Sequence, residues 1–248
     1  MLVVLVAAMA PAAAGAETAT LHASFSPDRL GASTTIGFSF NLAASGGGLP
    51  APLSAISLRL PPGINYLSTT LGLAICQPSV LQVRGPSGCP PNSRLGSGSA
   101  LVEVPFGTGA GKEIPEIAAL MGPPAHENIV VLFYANGLAP ILAQIVMQAE
   151  LIAGTDTTPG RLDTQVPLIA SVPAGPPVSI LSVRASIGPA GLTYYENRHG
   201  HRVAFHPRGV SVPEHCPRGG FRFSARFAFT DASTATAAYS VPCPPRHR

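Results

Sequence analysis

Apolar and polar residues alternate one for one in a series of short segments along this chain, the period-two pattern of half-buried β-strands. The clearest is FRFSARFAF at 221–229: Phe221, Phe223, Ala225, Phe227 and Phe229 share one face, and Arg222, Ser224 and Arg226 share the other. Near the start, Leu21, Ala23 and Phe25 make a short strand. Then Ile36, Phe38, Phe40 and Leu42 alternate with Thr35, Gly37, Ser39 and Asn41. Ile56, Leu58 and Leu60 alternate with Ser57 and Arg59 until Pro61-Pro62-Gly63. A strand must end there, because two prolines donate nothing to a ladder. Ala100, Val102 and Val104 close this first set before a glycine-rich stretch at 107–111 that reads as flexible. A second set runs through 129–134, 141–153, 162–169, 179–187, 203–205 and 221–229.

Only at 141–153 does a helix compete. Read as a strand, its odd positions Ile141, Ala143, Ile145, Met147, Ala149, Leu151 and Ala153 are all apolar, with Gln144, Gln148 and Glu150 opposite. Read as a helix, Gln144 and Gln148 share a face that Glu150 spoils. The pattern predicts a strand ending at Gly154, with TDTTPG leading through a hairpin turn into Arg161.

Composition agrees with many short strands. The chain has 27 prolines and 26 glycines, 46% hydrophobic and 11% charged residues. It is too apolar to be disordered and too punctuated for long helices. The expected fold is all-β, with one or two immunoglobulin-like antiparallel β-sandwiches and disulfides. Residues 1–16, MLVVLVAAMAPAAAGA, read as a cleaved export signal, with an apolar run and a small-residue ending. The expected division is a signal peptide at 1–16, an N-terminal sandwich at 17–106 and a C-terminal sandwich at 112–248. Past the signal, no segment reads as a membrane-spanning helix. The best candidate, 138–153, is broken by Pro140, Gln144, Gln148 and Glu150, and falls short of the roughly 20 apolar residues a crossing needs.

Four cysteines, Cys76, Cys89, Cys216 and Cys243, pair in three ways. Proximity favours Cys76 with Cys89 and Cys216 with Cys243, and closing each loop stabilises by roughly 3 to 4 kcal/mol in the chain-entropy description. A zinc site is the alternative, but no two cysteines form a CxxC pair. The segments SPDRLGASTTIGFSF (26–40), LRLPPGI (58–64), LGLAIC (71–76), CPPNSRLGSGSA (89–100), VPEHCPRGGFRFSARFAF (212–229) and VPCPP (241–245) carry a wider likeness. Through them the chain resembles a broad group of uncharacterised secreted proteins of high-GC actinobacteria. That resemblance implies a secreted, β-rich envelope protein and supplies no catalytic residues. LRLPPGI is also similar to the strand-then-corner element of bacterial surface-repeat sandwich domains.

Familiar catalytic motifs are lacking. Gly96-Ser97-Gly98-Ser99 has the wrong spacing for a GxSxG elbow, and neither HExxH, a P-loop nor SxxK occurs. Asp156-Thr157-Thr158 reads as a turn rather than half of an aspartic-protease dyad. His199, His201, His206 and His215 lie close together, and His199 with His201 would share a strand face suited to a transition metal. Arg198, Arg202 and Arg208 among them oppose a cation, so no metal and no cofactor is expected. With no tryptophan present, only Tyr194-Tyr195 offers a sugar-stacking platform.

Charge is divided along the chain. From residue 184 onward nine arginines face Glu196, Glu214 and Asp231, a balance of +6; before it, six basic and nine acidic residues give −3. Arg198, Arg202, Arg208, Arg218, Arg222 and Arg226 are therefore the candidate polyanion-binding residues. Nucleic acid is not an expected partner, since export and the absence of interleaved exposed aromatics argue against it. The expectation is a secreted, non-enzymatic structural or adhesive protein of the cell envelope, whose partner is an anionic envelope polymer or another surface protein. The alternative is an exported hydrolase or ligand-binding protein with a site built from loops.

Overall fold

A computed structural model describes residues 17–66, 71–107, 109–171, 173 and 175–244. The expected signal at 1–16 lies outside the described residues. The chain is all-β, with sixteen strands and one short α-helix described: β1 (Glu17–Ser26), β2 (Thr35–Ala44), β3 (Leu53–Leu60), β4 (Asn65–Tyr66), α1 (Pro78–Arg84), β5 (Arg94–Phe106), β6 (Gly109–Glu113), β7 (Glu116–Met121), β8 (Ile129–Gly137), β9 (Ala143–Ile152), β10 (Gly160–Gln165), β11 (Ser179–Ile187), β12 (Tyr194–Arg198), β13 (His201–Phe205), β14 (Val210–Ser211), β15 (Phe221–Phe229) and β16 (Thr234–Val241). The strand expected over 141–153 is present as β9, Ala143–Ile152, and TDTTPG is the turn after it, tied by the Thr155 amide donating to the Thr158 carbonyl.

Twelve strands form one antiparallel sheet in the order β1-β2-β11-β5-β7-β8-β9-β10-β3-β15-β16, with β6 on the end of β5. The sheet curls until its edges meet. His22 on β1 and Tyr239 on β16 bring their rings to 4.4 Å, and Phe25 packs on Phe221 and Phe223 at 5.3 and 5.8 Å. The shape is thus nearly a barrel. Strands from 17–106 and from 112–248 interleave in it, with β11 between β2 and β5 and β3 between β10 and β15. Residues 109–111, within the stretch expected to separate two domains, belong instead to β6 and pair with Val104 to Phe106 of β5.

The alternation decides which face is which. Phe221, Phe223 and Phe227 are fully buried inside, and Leu21, Phe40, Leu58 and Leu60 are buried beside them, while Arg222, Arg226 and Arg59 point out. On β7 and β8 the outward face is covered as well. There α1, held by Pro78 in its first turn and ended by Gly85, lays Leu81 on Ala118, Leu120, Val130 and Leu132. The disulfide Cys76–Cys89 closes this cover, and the Cys76 amide donates to the Met121 carbonyl at 2.8 Å. The second disulfide, Cys216–Cys243, ties the end of β16 to the loop before β15. Among the described residues no helix is long and apolar enough to cross a membrane.

Candidate functional site

Strands β10, β3, β15 and β16 lie side by side, and their outward residues build a strongly basic surface. Alternation points Arg161 and Asp163, Ser57 and Arg59, and Arg222, Ser224 and Arg226 to the same outer face. The register then sets Arg161 opposite Arg59, and Arg59 opposite Ser224; Ser57 faces Asp163 on one side and Arg226 on the other. Together they line a groove of about 840 Å³. Like charges directly opposite across strands oppose pairing, so the Arg161–Arg59 rung is a local cost.

Among the described residues that line the groove, one carboxylate offsets it. Arg161 Nε lies 2.5 Å from Asp163 Oδ2, and Ser57 donates its hydroxyl to Asp163 Oδ1 at 2.7 Å. Asp163 is thereby committed. Arg59, Arg222 and Arg226 form no ion pair among the described residues. Four guanidinium groups against one carboxylate leave the groove a balance of +3. The basic surface stops at β9, where Glu150 sits opposite Asp163 and holds His126 Nδ1 at 3.1 Å.

Of the six arginines expected from sequence to bind polyanions, this face gathers Arg222 and Arg226. Arg198 and Arg202 lie on the separate β12–β13 hairpin, the first paired to Glu196 and the second stacked 3.8 Å over the Tyr195 ring. Arg208 and Arg218 lie in loops. Sequence reasoning missed Arg59 and Arg161 because they belong to the acidic part of the chain. Their outward position in alternating strands was the available signal.

The histidines are not arranged as expected for a pair on one strand face. His199 has φ 53° in the turn joining β12 to β13, so only His201 is on a strand. His206 Nδ1 meets the Leu192 carbonyl at 3.2 Å, and His215 lies in the loop leading to the second disulfide. Among the described residues no group of three His, Cys, Asp or Glu is placed to hold a metal ion. The Tyr194-Tyr195 pair does not make a platform either: Tyr194 points inward and Arg202 covers Tyr195.

Tyr194 has a structural task. Its hydroxyl donates to the Arg94 carbonyl at 2.6 Å, and burial pushes its pKa up to about 12. Burial also raises Tyr66 well above the ordinary range. Both groups fold in the neutral form, so their stabilisation is complete below the unfolded value near 10 and is lost as pH rises through the folded values. We expect unfolding free energy to fall above about pH 10, and a spectrophotometric titration of folded protein to show the Tyr66 and Tyr194 phenols ionising above the ordinary tyrosine value near 10. Simultaneous ionisation of every tyrosine in folded protein would contradict this.

A second hollow, of about 930 Å³, opens where the β3–β4 and β9–β10 turns meet the loop before Cys216, with Asp156, Glu214 and His215 on its wall. Asp156 sits in the β9–β10 turn, and among the described residues no hydrogen bond joins it to Glu214 or His215. Compared with known proteins, the chain matches no family model, no curated protein and no solved structure.

Proposed function

We propose that this is a secreted, non-enzymatic adhesive protein of the cell envelope that holds an anionic polymer on the outer face of β10, β3, β15 and β16. The observation that carries the reading is the set of three arginines, Arg59, Arg222 and Arg226, left without carboxylates beside an Arg59–Arg161 rung. Guanidinium groups pair with phosphate or carboxylate oxygens in two-pronged contacts, and an extended polymer can engage several in succession. Two disulfides fit an oxidising, extracellular setting. Phe40 on β2 packs against Phe227 on β15 across the interior, 4.9 Å apart, so opposite walls of the curled sheet hold one another.

The test is retention on immobilised teichoic acid as salt is raised. Wild-type protein should bind at low ionic strength and elute with salt, and the triple variant Arg59→Ser, Arg222→Ser, Arg226→Ser should lose about tenfold in affinity or more, about 1.4 kcal/mol. Equal retention of the triple variant would sink the reading, whereas loss on Arg198→Ser with Arg202→Ser alone would move the site to the β12–β13 hairpin.

A further inference from the structure

The interior of the barrel is under-filled. Protein cores rarely leave voids larger than a water molecule, yet two apolar voids lie in series here. One, of about 80 Å³, is lined by Phe38, Phe40, Ile56, Met147, Ile180 and Val183 among others; the second, of about 30 Å³, continues past Leu60, Leu151 and Ile187. Phe38, Leu58 and Leu162 line both. Each exceeds the roughly 10–15 Å³ that admits a water, but neither has polar lining surface with which to hold one. Phe38, Ile56, Met147, Ile180 and Val183 stay only partly buried although their strands point them inward. From Ile36 to Phe40 along β2 the trough spans four residues, about 13 Å.

The end of the barrel nearer the larger void is rich in apolar loop residues, although Glu17, Lys112, Glu113 and Asp231 also lie there. The loops following β2, β8 and β10, at 45–52, 138–142 and 166–178, contain no charged residue. They and the β5–β6–β7 segment expose Leu49 at 39%, Phe106 at 43%, Leu168 at 54%, Ile114 at 69%, Leu138 at 70% and Leu142 at 77%. Among the described residues, half of the exposed large apolar ones are therefore at this one end. Exposed apolar residues grouped in this way mark a contact surface, and Val166, which opens the 166–178 loop, lines the larger void at the same end.

We infer that the barrel is a site for a single aliphatic chain, taken from a lipid surface on which the rim of Leu138, Leu142 and Leu168 rests. No arginine of the outer face takes part. Contact with neutral lipid should therefore survive high salt, which separates this site from the polymer-binding one.

The lumen is tested with 1-N-phenylnaphthylamine, a dye that emits in apolar surroundings, using lauric acid as competitor. Wild-type protein should give saturable emission that lauric acid abolishes, and lauric acid should raise the melting temperature. Val183→Phe, which fills the larger void, should weaken dye binding about tenfold or more. If that variant fails to fold, the wild-type melting shift still decides. Docking is tested by flotation with phosphatidylcholine vesicles at high salt, where wild-type protein should float and Leu138→Ser with Leu142→Ser should not. Absence of saturable emission, failure of lauric acid to compete, no melting shift, or unchanged binding by folded Val183→Phe would overturn the lumen site. Wild-type protein that stays with the pellet would overturn the docking.

Discussion

Replacing Gly96 by alanine is expected to destabilise the protein by about 2–5 kcal/mol, the cost of stranding one or two buried backbone groups. Gly96 is buried on β5, opposite Ile187 of β11. A Cβ built there lies far inside contact distance of the Ser186 carbonyl oxygen and 2.9 Å from its carbon. Gly98 is similar, meeting the Arg184 carbonyl oxygen and Ala185 Cα. These obstacles are backbone, so no side chain can swing aside. The two strands would have to part at the point where β11 inserts between β2 and β5. The Gly188 amide, which donates to the Leu95 carbonyl at 2.9 Å, would be lost with them. Against this stands a gain of about 0.4–1 kcal/mol from restricting the unfolded chain, too small to reverse the sign. Gly46→Ala supplies the control, because nothing lies within 4 Å of a Cβ there. Urea denaturation should separate the two variants clearly; a Gly96→Ala midpoint matching that of Gly46→Ala would show that the close approach relaxes at little cost.

Gly96 and Gly98 also explain the GSGS text that resembles, at the wrong spacing, a nucleophile elbow. Its glycines serve strand contact. Other parts of the fold were legible for the same local reason: where one face is wet and the other dry, the pairing writes itself as alternation. Residues 179–187 and 221–229 are strands at those bounds. β7 was not legible, because Ile117 to Met121 are buried on both faces, the outer one under α1 and the Cys76–Cys89 loop, so no alternation survives. β6 was hidden by its composition. GAGKE reads as a flexible spacer, and only its ladder with Val102 to Phe106 makes it a strand.

The order of strands lies beyond local pattern altogether. Nothing within 179–187 says that it pairs with both β2 and β5, and this insertion is what joins the two expected sandwiches into one sheet. The basic face has the same history. Arg222 and Arg226 are outward by alternation alone, while Arg59 and Arg161 join them only through non-local ladders from β10 to β3 and from β3 to β15. Charge counted along the chain therefore placed half of the face in the wrong, acidic segment.

Phe223→Ala should cost about 3–5 kcal/mol, while Arg222→Ala, one residue away, should stay within about 0.5 kcal/mol. Phe223 is fully buried and packs its ring against Phe25 on β1, across the line where the curled sheet meets itself. Removing the ring deletes apolar burial and leaves a cavity that rigid flanking strands cannot collapse. It also loosens the closure of the barrel, since β1 and β16 are neighbours held by side chains such as Phe25, Phe221, His22 and Tyr239. Arg222 faces water opposite Ser240 and forms no ion pair among the described residues, so its removal relieves repulsion rather than breaking contacts. Its loss should appear in polymer retention instead. Chemical denaturation of both variants beside the salt-dependent retention assay separates the roles. Phe223→Ala should fall in stability, and Arg222→Ala should keep its stability and bind less. Equal stability losses at the two positions would mean that β15 is not divided into a core face and a binding face, and the arginine site would lose its structural basis.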